Sequence, residues 1–382
     1  MPSLSIIEPA FAHNCIPIVF ATDNRYAPQL YVAISSLFSN ASSAYNYDII
    51  ILTSDLSSHH KMMLLNDFTK DNASIRFYDV DIWIKENQDS FHIHNWGGAW
   101  HSISVYFRFV IPEICSRYDK VIFLDSDLVI PGDISKMYDI DLGDYYLGAV
   151  QDLSRQLEGE KIAQYVESTL RILPANYFNA GVLLLNIKKM RGKNFPGLFL
   201  ECLKQLGKPL LQDQDVFNVV FKNKVKYLDY KYNCLLWNSM HCHPSYDIRL
   251  PQRLLDSAHR AAQNPIVLHY AGIKKPWKSP HLEYAHYFWE YARKTPYYEQ
   301  LIWDNLLARI PATNKNASTA AKSPIPLSIL KDALQQKKLY WRYVRYRILS
   351  KITFGKSRKK YWTKKCAVRK RLMDIRSFLG KK

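Results

Sequence analysis

The stretch that most constrains the fold is residues 120–130, in which two apolar runs flank an Asp-Ser-Asp triplet. The first run, residues 121–124, is continuous and β-prone, which is typical of a strand buried on both faces of a parallel sheet. Pro131 and Gly132 end the element. We therefore expect Asp125 and Asp127 at the carboxyl end of a central strand, where open α/β sheets bind ligands.

The two aspartates allow two interpretations. Two carboxylates this close in apolar surroundings repel each other unless a cation lies between them. Oxygen ligands suit Mg²⁺ or Mn²⁺, so a divalent ion carrying a diphosphate would satisfy both carboxylates. The alternative is a strand end with two solvated acids, because an Asp-x-Asp triplet alone is common.

The net charge of +18 is concentrated at one end of this 382-residue sequence. Residues 330–382 carry 19 Lys or Arg against Asp332 and Asp374, which leaves the remainder close to neutral. The main part is therefore expected to be one acid–base-balanced α/β domain. No apolar run reaches the roughly 18 residues of a membrane span, and no signal peptide is predicted. The six cysteines lack C-x-x-C pairs, which favours reduced thiols in the cytoplasm.

Strand and helix patterns alternate through the first 80 residues. Apolar runs predict strands at 16–21, 47–53 and 75–80, and helical spacing predicts helices at 28–40 and 57–68. Ser57 is a suitable N-cap for the second helix. This alternation predicts a parallel sheet with crossover helices. The polar residues Thr22, Asp23 and Asn24 directly follow the first strand, the usual position of a nucleotide in doubly wound sheets.

Further polar residues stand beside predicted elements in the second half. Arg108 lies inside the apolar pattern of a predicted helix, 102–111, so it needs either an anion or a structural ion pair. Asn179, Ala180 and Gly181 precede an apolar run and predict a small-residue turn that a ligand can approach. The acids of residues 212–215 open a helix and could simply satisfy its dipole. His269 follows an apolar run, either as a structural histidine or as the nitrogen ligand of a Mn²⁺ site.

These residues accumulate into a family resemblance. Phe-Ala-Thr-Asp at 20–23, Tyr-Phe-Arg at 106–108, Leu-Asp-Ser-Asp at 124–127, Tyr-Phe-Asn-Ala-Gly-Val at 177–182, Asp-Gln-Asp at 213–215 and His-Tyr-Ala-Gly-Ile-Lys-Lys-Pro-Trp at 269–277 occur in family order. Together they make the chain similar to the retaining glycosyltransferases of family 8, in particular the bacterial lipopolysaccharide galactosyl- and glucosyltransferases. The resemblance covers residues 17–307.

The resemblance implies a Rossmann-like nucleotide-sugar-binding domain of the GT-A type, α/β with a mostly parallel mixed sheet. It implies transfer of galactose or glucose from UDP-galactose or UDP-glucose to a saccharide acceptor, lipopolysaccharide or lipooligosaccharide core, with retention of configuration. The metal would be Mn²⁺, or Mg²⁺ in its place, held by Asp125, Asp127 and His269.

The resemblance also implies roles for the other matched residues. The donor would be bound at the uridine by Ala21, Thr22, Asp23 and Asn24, at the sugar by Arg108, Asn179, Ala180, Asp213 and Gln214, and at the diphosphate by Gly272 and Lys275. Asp152 and Gln214 would face the acceptor, and the candidates for catalysis are Asp152, Asp213 and Gln214. Two positions depart from the family pattern, because Asn24-Arg25 replaces Asp-Asn and Ala271 replaces a Cys.

The organisation predicted is a catalytic domain at residues 1–310, a small-polar linker at 311–326 and a basic aromatic-rich tail at 327–382. Trp341, Val344 and Ile348 recur at helical spacing with Lys and Arg between them. Such a basic amphipathic helix favours an anionic membrane surface, which would place the enzyme peripherally on the cytoplasmic face of the inner membrane. A nucleic-acid-associated metal enzyme using the tail for binding is the rival, although no P-loop is present and nucleic acid is not the expected partner.

Overall fold

The computed structural model describes residues 4–91, 102–157, 160–235, 252–272 and 274–308. The predicted linker and basic tail lie outside these residues. Within the described ranges, no helix combines the length and apolar character that crossing a bilayer would require.

The strands confirm the predicted apolar runs. Most strand ends lie within two residues of the predicted ones. In chain order, the described strands are β1 (Cys15–Ala21), β2 (Asn46–Thr53), β3 (Ala73–Asp79), β4 (Lys120–Leu124), β5 (Leu128–Val129), β6 (Leu147–Gln151), β7 (Phe178–Asn186), β8 (Val225–Tyr227), β9 (Cys234–Leu235) and β10 (Leu268–His269).

The larger sheet has the order β3-β2-β1-β4-β7-β6-β8. Strand β1 pairs in parallel with both β2 and β4, whereas β7 is antiparallel to β4 and β6. This is the mostly parallel mixed sheet that the sequence predicted. The order reverses at β1 and β4, so their carboxyl ends form the crevice in which sheets of this kind bind ligands.

A smaller sheet joins two distant parts of the chain beside this crevice. Strand β10 pairs antiparallel with β5, with His269 opposite Leu128, and in parallel with β9. Because Leu128 directly follows Asp127, this pairing brings His269 to the end of the Asp-Ser-Asp triplet.

Helices cover both faces of the larger sheet. The described α-helices are α1 (Ala27–Ser39), α2 (Ser58–Phe68), α3 (Asp81–Glu86), α4 (Ile111–Ile114), α5 (Ser135–Tyr138), α6 (Ser154–Leu157), α7 (Glu160–Ser168), α8 (Ile187–Met190), α9 (Phe195–Leu206), α10 (Asp213–Val220), α11 (Gln252–Gln263), α12 (Ala285–Ala292) and α13 (Tyr298–Ala308). Short 3₁₀ helices occupy Gln88–Ser90, Ile103–Val110, Pro174–Asn176 and Tyr230–Tyr232. The predicted N-cap of α2 is confirmed, because the Ser57 hydroxyl accepts the His60 N–H at 3.3 Å.

The segment predicted as a helix at 102–111 differs from that expectation. It is a 3₁₀ helix, Ile103–Val110, followed directly by α4, in whose first turn Pro112 lies. Pro112 therefore starts a helix instead of ending one, since proline lacks only an N–H that the first turn does not use.

Alternate residues of the central strands pack into two separate apolar layers. Ile18, Phe20 and Ile122 face the layer that contains α1, whereas Val19 and Phe123 face the layer that contains α9 and α10. The strands are buried on both faces, as their continuous apolar sequence predicted. The polar side chains at the strand ends are consequently held between two rigid layers.

Candidate active site

A cavity of about 400 Å³ lies at the carboxyl ends of β1 and β4. Most of the residues that the sequence singled out line it, namely Ala21, Thr22, Arg108, Asp125, Asp127, Asn179, Ala180, Asp213, Gln214, His269, Gly272 and Lys275. The structure thus brings together residues that are up to 254 positions apart in the sequence.

Asp125, Asp127 and His269 form a cluster whose ligand atoms all lie within 4.8 Å of one another. His269 Nε2 is 3.1 Å from Asp127 Oδ1 and 3.7 Å from Asp125 Oδ2. Two carboxylates and one imidazole converging on a point are a donor set that Mn²⁺ or Mg²⁺ accepts. The residues therefore fit a divalent cation.

Two cationic side chains pair with these carboxylates. Lys275 Nζ is 2.5 Å from Asp127 Oδ2 and also donates to the Tyr270 carbonyl oxygen at 2.6 Å. Arg108 Nη2 is 2.8 Å from Asp125 Oδ1. Burial by itself would raise the pKa of Asp127, but Lys275 and His269 together hold that pKa far below its ordinary value. Asp127 is thus ionised at any physiological pH, as a metal-binding oxygen must be.

Arg108 has the structural ion pair that was one of the two alternatives for it. Its side chain is 5% exposed, and its Nε lies 3.1 Å from Asp213 Oδ2 while Nη2 binds Asp125. The guanidinium also donates to the Ala180 carbonyl oxygen and stacks on Phe123, with 4.3 Å between Cζ and the ring centroid. Arg108 lines the cavity as well, so its predicted contact with the donor sugar stays a prediction.

Gly181 lies within β7, not in the turn that the sequence predicted for residues 179–181. A Cβ at this position would stand 2.3 Å from His269 Cε1 and 2.5 Å from Asp125 Oδ2. The small residue therefore serves the close approach of two candidate metal ligands to the strand. The sequence pattern instead predicts that the small residue serves the approach of a ligand to the backbone.

The Asp-Gln-Asp segment opens α10 and places its three side chains differently. Gln214 lines the cavity, while Asp215 is buried and accepts the hydroxyls of Tyr165 and Tyr177 at 2.9 and 2.5 Å. Burial, opposed by Arg108 and reinforced by Asp125, raises the pKa of Asp213 to about 7. The acids therefore do more than satisfy a helix dipole, since both have specific side-chain partners.

Asp152 lies behind Gln214 and is completely buried. Its Oδ2 accepts the Gln214 Nε2–H at 3.2 Å and is 3.4 Å from Arg155 Nε, and its Oδ1 accepts the Ser154 hydroxyl at 2.5 Å. It is not among the residues that line the cavity. A direct contact of Asp152 with an acceptor therefore has no support from its position, whereas an indirect effect through Gln214 does.

Asp23 is held by its own loop and Asn24 by the start of α2, and both lie outside the set of residues that line the cavity. The Asp23 carboxylate accepts the backbone N–H groups of Arg25 and Tyr26 at 2.9 and 3.0 Å and pairs with the Arg25 guanidinium at 2.9 Å. The Asn24 side-chain oxygen accepts the Ser57 N–H at 3.0 Å. Ala21 and Thr22 are the members of the predicted uridine group that do reach the cavity.

Several residues that line the cavity or support it were not predicted from the sequence. Tyr26, Ser126, Arg155 and Lys278 line it, and Asn233 lies behind His269. Arg155 follows Asp152 by three residues, a spacing that could have suggested an ion pair. No sequence signal marks Asn233, because it precedes a strand of only two residues.

Comparison with known proteins defines the class of this molecule. The WbbM bifunctional glycosyltransferase is similar at 28% identity with a TM-score of 0.66, over 79% of this chain and 54% of WbbM. The galactosyltransferase LgtC in complex with donor and acceptor sugar analogs is similar at 29% identity with a TM-score of 0.59, over 74% of this chain and 96% of LgtC. The fold is therefore GT-A-like, and the class is glycosyltransferase.

The sequence narrows this class to one family. The model of glycosyl transferase family 8 matches residues 17–280, and the chain belongs to that family. GlyF of Streptococcus pneumoniae is 28% identical over 265 residues, which are 69% of this chain and 57% of GlyF. The lipopolysaccharide 1,3-galactosyltransferase of Salmonella typhimurium is 27% identical over 229 residues, which are 57% of this chain and 61% of that enzyme. The chain thus spans little more than half the length of GlyF and of WbbM.

Proposed function

We propose that this protein is a metal-dependent retaining hexosyltransferase that moves galactose or glucose from a UDP-sugar to a saccharide acceptor. The observation that carries the proposal is the cluster of Asp125, Asp127 and His269 beside Lys275 in one cavity. A diphosphate leaving group needs positive charge at the point where negative charge develops; the cluster would hold a divalent cation there, and Lys275 adds a second positive charge.

Asp125, Asp127 and His269 would hold Mn²⁺ or Mg²⁺, which when bound neutralises the diphosphate as a Lewis acid. Lys275 would bind the same diphosphate, and the position of its ammonium group against Asp127 supports this role. Gly272 also lines this part of the cavity and has a φ of 92°, a conformation that favours glycine. Ala21 and Thr22 would lie beside the uridine at the end of β1.

The positions and partners of the carboxylates in and near the cavity favour retention by front-side attack. In the described residues, Asp213 pairs with Arg108, Asp215 binds two tyrosine hydroxyls, and Asp152 is buried behind Gln214. None of them is placed as a nucleophile of the two-step glycosidase kind. The acceptor oxygen would bond to the anomeric carbon as the bond to the phosphate oxygen breaks, and the hydroxyl proton would pass to the leaving phosphate. Gln214 and, through it, Asp152 would position the reacting groups.

The acceptor is proposed from the relatives. One is a lipopolysaccharide galactosyltransferase, and LgtC has been solved with donor and acceptor sugar analogs. We propose the saccharide core of lipopolysaccharide or lipooligosaccharide as the acceptor, since both relatives favour a saccharide substrate. Galactose and glucose remain the two candidate sugars.

The deciding experiment offers the full-length protein Mn²⁺ with UDP-galactose and UDP-glucose separately and measures UDP release, with and without core oligosaccharide. We expect one donor to be used, more rapidly when acceptor is present, and EDTA to abolish the reaction. Asp144→Asn is a matched control, because Asp144 is an exposed acid that pairs with Lys189 far from the cavity. UDP release that is equal in EDTA and in Mn²⁺ would contradict the proposal.

The basic tail, residues 327–382, is proposed to bind an anionic membrane surface on the cytoplasmic side. Each Lys or Arg near such a surface contributes about 1 kcal/mol, and salt screens that contribution. Truncation after Ile310 should spare hydrolysis of UDP-sugar in solution and abolish binding to vesicles that contain anionic lipid. Vesicles of neutral lipid are the control. Retention of the intact protein on RNA but not on anionic vesicles would favour the nucleic-acid alternative for the tail.

A further inference from the structure

A buried series of side-chain amides connects His269 with Gln214. Asn233 is completely buried and lies between the 3₁₀ helix Tyr230–Tyr232 and strand β9. Its Oδ1 is 3.1 Å from His269 Nδ1, and its Nδ2 donates to Asn179 Oδ1 at 2.9 Å. Asn179 Nδ2 in turn donates to Gln214 Oε1 at 3.0 Å. One asparagine outside the predicted site residues therefore contacts the candidate metal cluster directly and reaches the candidate catalytic residue Gln214 through Asn179.

Two backbone N–H groups fix the direction of every hydrogen bond in this series. The Gly181 N–H donates to Asn179 Oδ1 at 2.9 Å, and the Ala180 N–H donates to Gln214 Oε1 at 3.1 Å. A backbone N–H can only donate, so the atoms facing these groups must be the amide oxygens. With its oxygen so placed, Asn179 must present its nitrogen to Gln214, and it leaves an acceptor for the nitrogen of Asn233.

The same reasoning fixes the tautomer of His269. Because the nitrogen of Asn233 faces Asn179 Oδ1, the oxygen of Asn233 faces His269 Nδ1 and accepts its hydrogen. His269 Nε2 is therefore the ring nitrogen that faces Asp127 Oδ1, at 3.1 Å, and in the neutral imidazole it is the nitrogen whose lone pair would be available to the proposed cation. This is the state that a metal-binding imidazole requires, and an acceptor for its other ring nitrogen is the usual way to secure it.

At the other end, the series fixes the amide of Gln214. Its Oε1 accepts two hydrogen bonds, from Asn179 and Ala180, so its Nε2 must point to Asp152 Oδ2 at 3.2 Å. Asp152 is itself held beside Arg155 Nε at 3.4 Å. The orientation of Gln214 is thus coupled through two asparagines to that of His269.

We propose that Asn233 is a positioning residue that fixes the metal-binding tautomer of His269 and at the same time supports Asn179, the side chain that holds the amide of Gln214. The inference rests on the proposed function, since it assigns Asn233 a role toward the proposed metal and the proposed catalytic group. Asn233 acts through its neighbours and does not itself line the cavity.

The series has two arms, the hydrogen bond from Asn233 to His269 and the hydrogen bonds that lead from Asn233 through Asn179 to Gln214. Substitutions can separate them. Asn233→Ala removes both hydrogen bonds. Asn233→Asp keeps an acceptor for His269 Nδ1–H but sets a second acceptor against Asn179 Oδ1, so it breaks only the arm toward Gln214. Asn179→Asp keeps the acceptor for Asn233 and Gly181 and likewise removes the donor to Gln214. Asn305→Ala is the matched control, because Asn305 is a buried asparagine that donates to the Trp277 carbonyl oxygen.

The experiment titrates each full-length variant with Mn²⁺ alone, follows the free-ion EPR signal, and separately measures kcat and KM for UDP release. Asn233→Ala should weaken Mn²⁺ binding about tenfold to a hundredfold, the usual effect of losing the partner of a ligating histidine. Asn233→Asp and Asn179→Asp should bind Mn²⁺ nearly as wild type does and lose kcat. Asn305→Ala should change neither quantity.

Each failure has a separate meaning. Wild-type affinity for Mn²⁺ in Asn233→Ala would overturn the inference, as would an equal loss of affinity in Asn233→Ala and Asn233→Asp. If Asn233→Ala does not fold by circular dichroism, the two aspartate variants decide, because weak Mn²⁺ binding in both overturns the inference. Wild-type protein that binds Mn²⁺ no better than Asp127→Asn would instead overturn the proposed function.

Discussion

The two sides of the cavity are built in different ways. At the end of β1, Asp23 is satisfied by Arg25 and Tyr26, its second and third neighbours in the chain. At the ends of β4 and β10, Lys275 binds Asp127 across 148 positions, and His269 binds Asn233 across 36. On the first side Asp23 is satisfied within its own loop and Asn24 is bonded to Ser57 at the start of α2, whereas the second side is a network between distant elements.

This difference has a consequence for mutation. A change at Asp23 disturbs hydrogen bonds made within three residues, so its effect should stay local. A change in the network leaves buried polar or charged groups on several elements without partners, and each such group is costly. We therefore expect the metal side to be intolerant and the β1 side to be tolerant.

The largest effect is expected at the two aspartates. Asp125→Asn and Asp127→Asn each remove an anionic oxygen from the proposed cation site. The expected loss in kcat for UDP release at saturating donor and Mn²⁺ is about 10²–10³-fold, the effect of losing one preorganised electrostatic contact.

The control for these variants is Asp144→Asn, an exposed acid paired with Lys189, which should keep wild-type activity. Near wild-type turnover of both Asp125→Asn and Asp127→Asn would show that the metal side tolerates mutation as well as the β1 side does.

The sequence predicted the strands and the central sheet because continuous apolar runs leave a strand buried on both faces as the simplest solution. It predicted the N-cap at Ser57 because that signal is local. It misassigned the segment at Ile103–Val110, where a 3₁₀ helix packs against the sheet and helical spacing alone does not distinguish the two helix types.

The candidate site was predicted through its motifs, so a residue outside every motif could not be predicted. Asp125, Asp127 and His269 could be grouped because all three follow apolar runs. Asn233 could not, since its partners His269 and Asn179 are determined by tertiary pairing of β9 with β10. The alternatives for Arg108 likewise needed the structure, because a sequence does not show which acid a buried guanidinium meets.

The second prediction tests the tightness of the metal side at Gly181. Gly181→Ala would bring a Cβ within 2.3 Å of His269 Cε1 and 2.5 Å of Asp125 Oδ2. Relieving this contact must displace the ligands, so we expect Mn²⁺ affinity to fall about tenfold or more and stability to fall by about 1–3 kcal/mol.

Its control is Gly197→Ala, whose Cβ would meet the exposed N-cap side chain of Asn194, so that variant should lose stability at the start of α9 but keep its Mn²⁺ affinity. Mn²⁺ titration and thermal unfolding of both variants check this expectation. Unchanged Mn²⁺ affinity in Gly181→Ala would mean that the cluster has room to adjust.

The third prediction concerns Asp213, which links the network to pH. Its pKa in the folded protein is raised to about 7, chiefly by burial. The folded state therefore holds a proton on this carboxyl where the unfolded state has released it, between about pH 4 and 7. The stability that this group contributes is present below about pH 4 and is lost as pH rises to 7, by an amount on the order of 3 kcal/mol.

Asp213→Asn does not titrate, so its Tm relative to wild type should rise from pH 4 to pH 7. Thermal unfolding in EDTA measures this difference. The pKa of Asp144 is instead lowered by Lys189, so the contribution of this exposed carboxylate is already complete above about pH 4 and Asp144→Asn should keep a nearly constant Tm difference from wild type over the same range. A difference for Asp213→Asn that is independent of pH would show that Arg108 outweighs burial.

The smallest effect is expected on the side formed by the loop after β1. Asp23→Ala removes the carboxylate that accepts the N–H groups of Arg25 and Tyr26 just before α1. By analogy with N-cap residues, the expected loss of stability is about 1 kcal/mol. Asp23→Asn keeps one acceptor oxygen and should lose less. Because the Arg25 side chain is 63% exposed, its ion pair with Asp23 adds little.

The activity of Asp23→Ala should change mainly through KM for the UDP-sugar, with kcat preserved. A loss of kcat in Asp23→Ala as large as that in Asp127→Asn would show that the β1 side is coupled to the metal side despite its local construction.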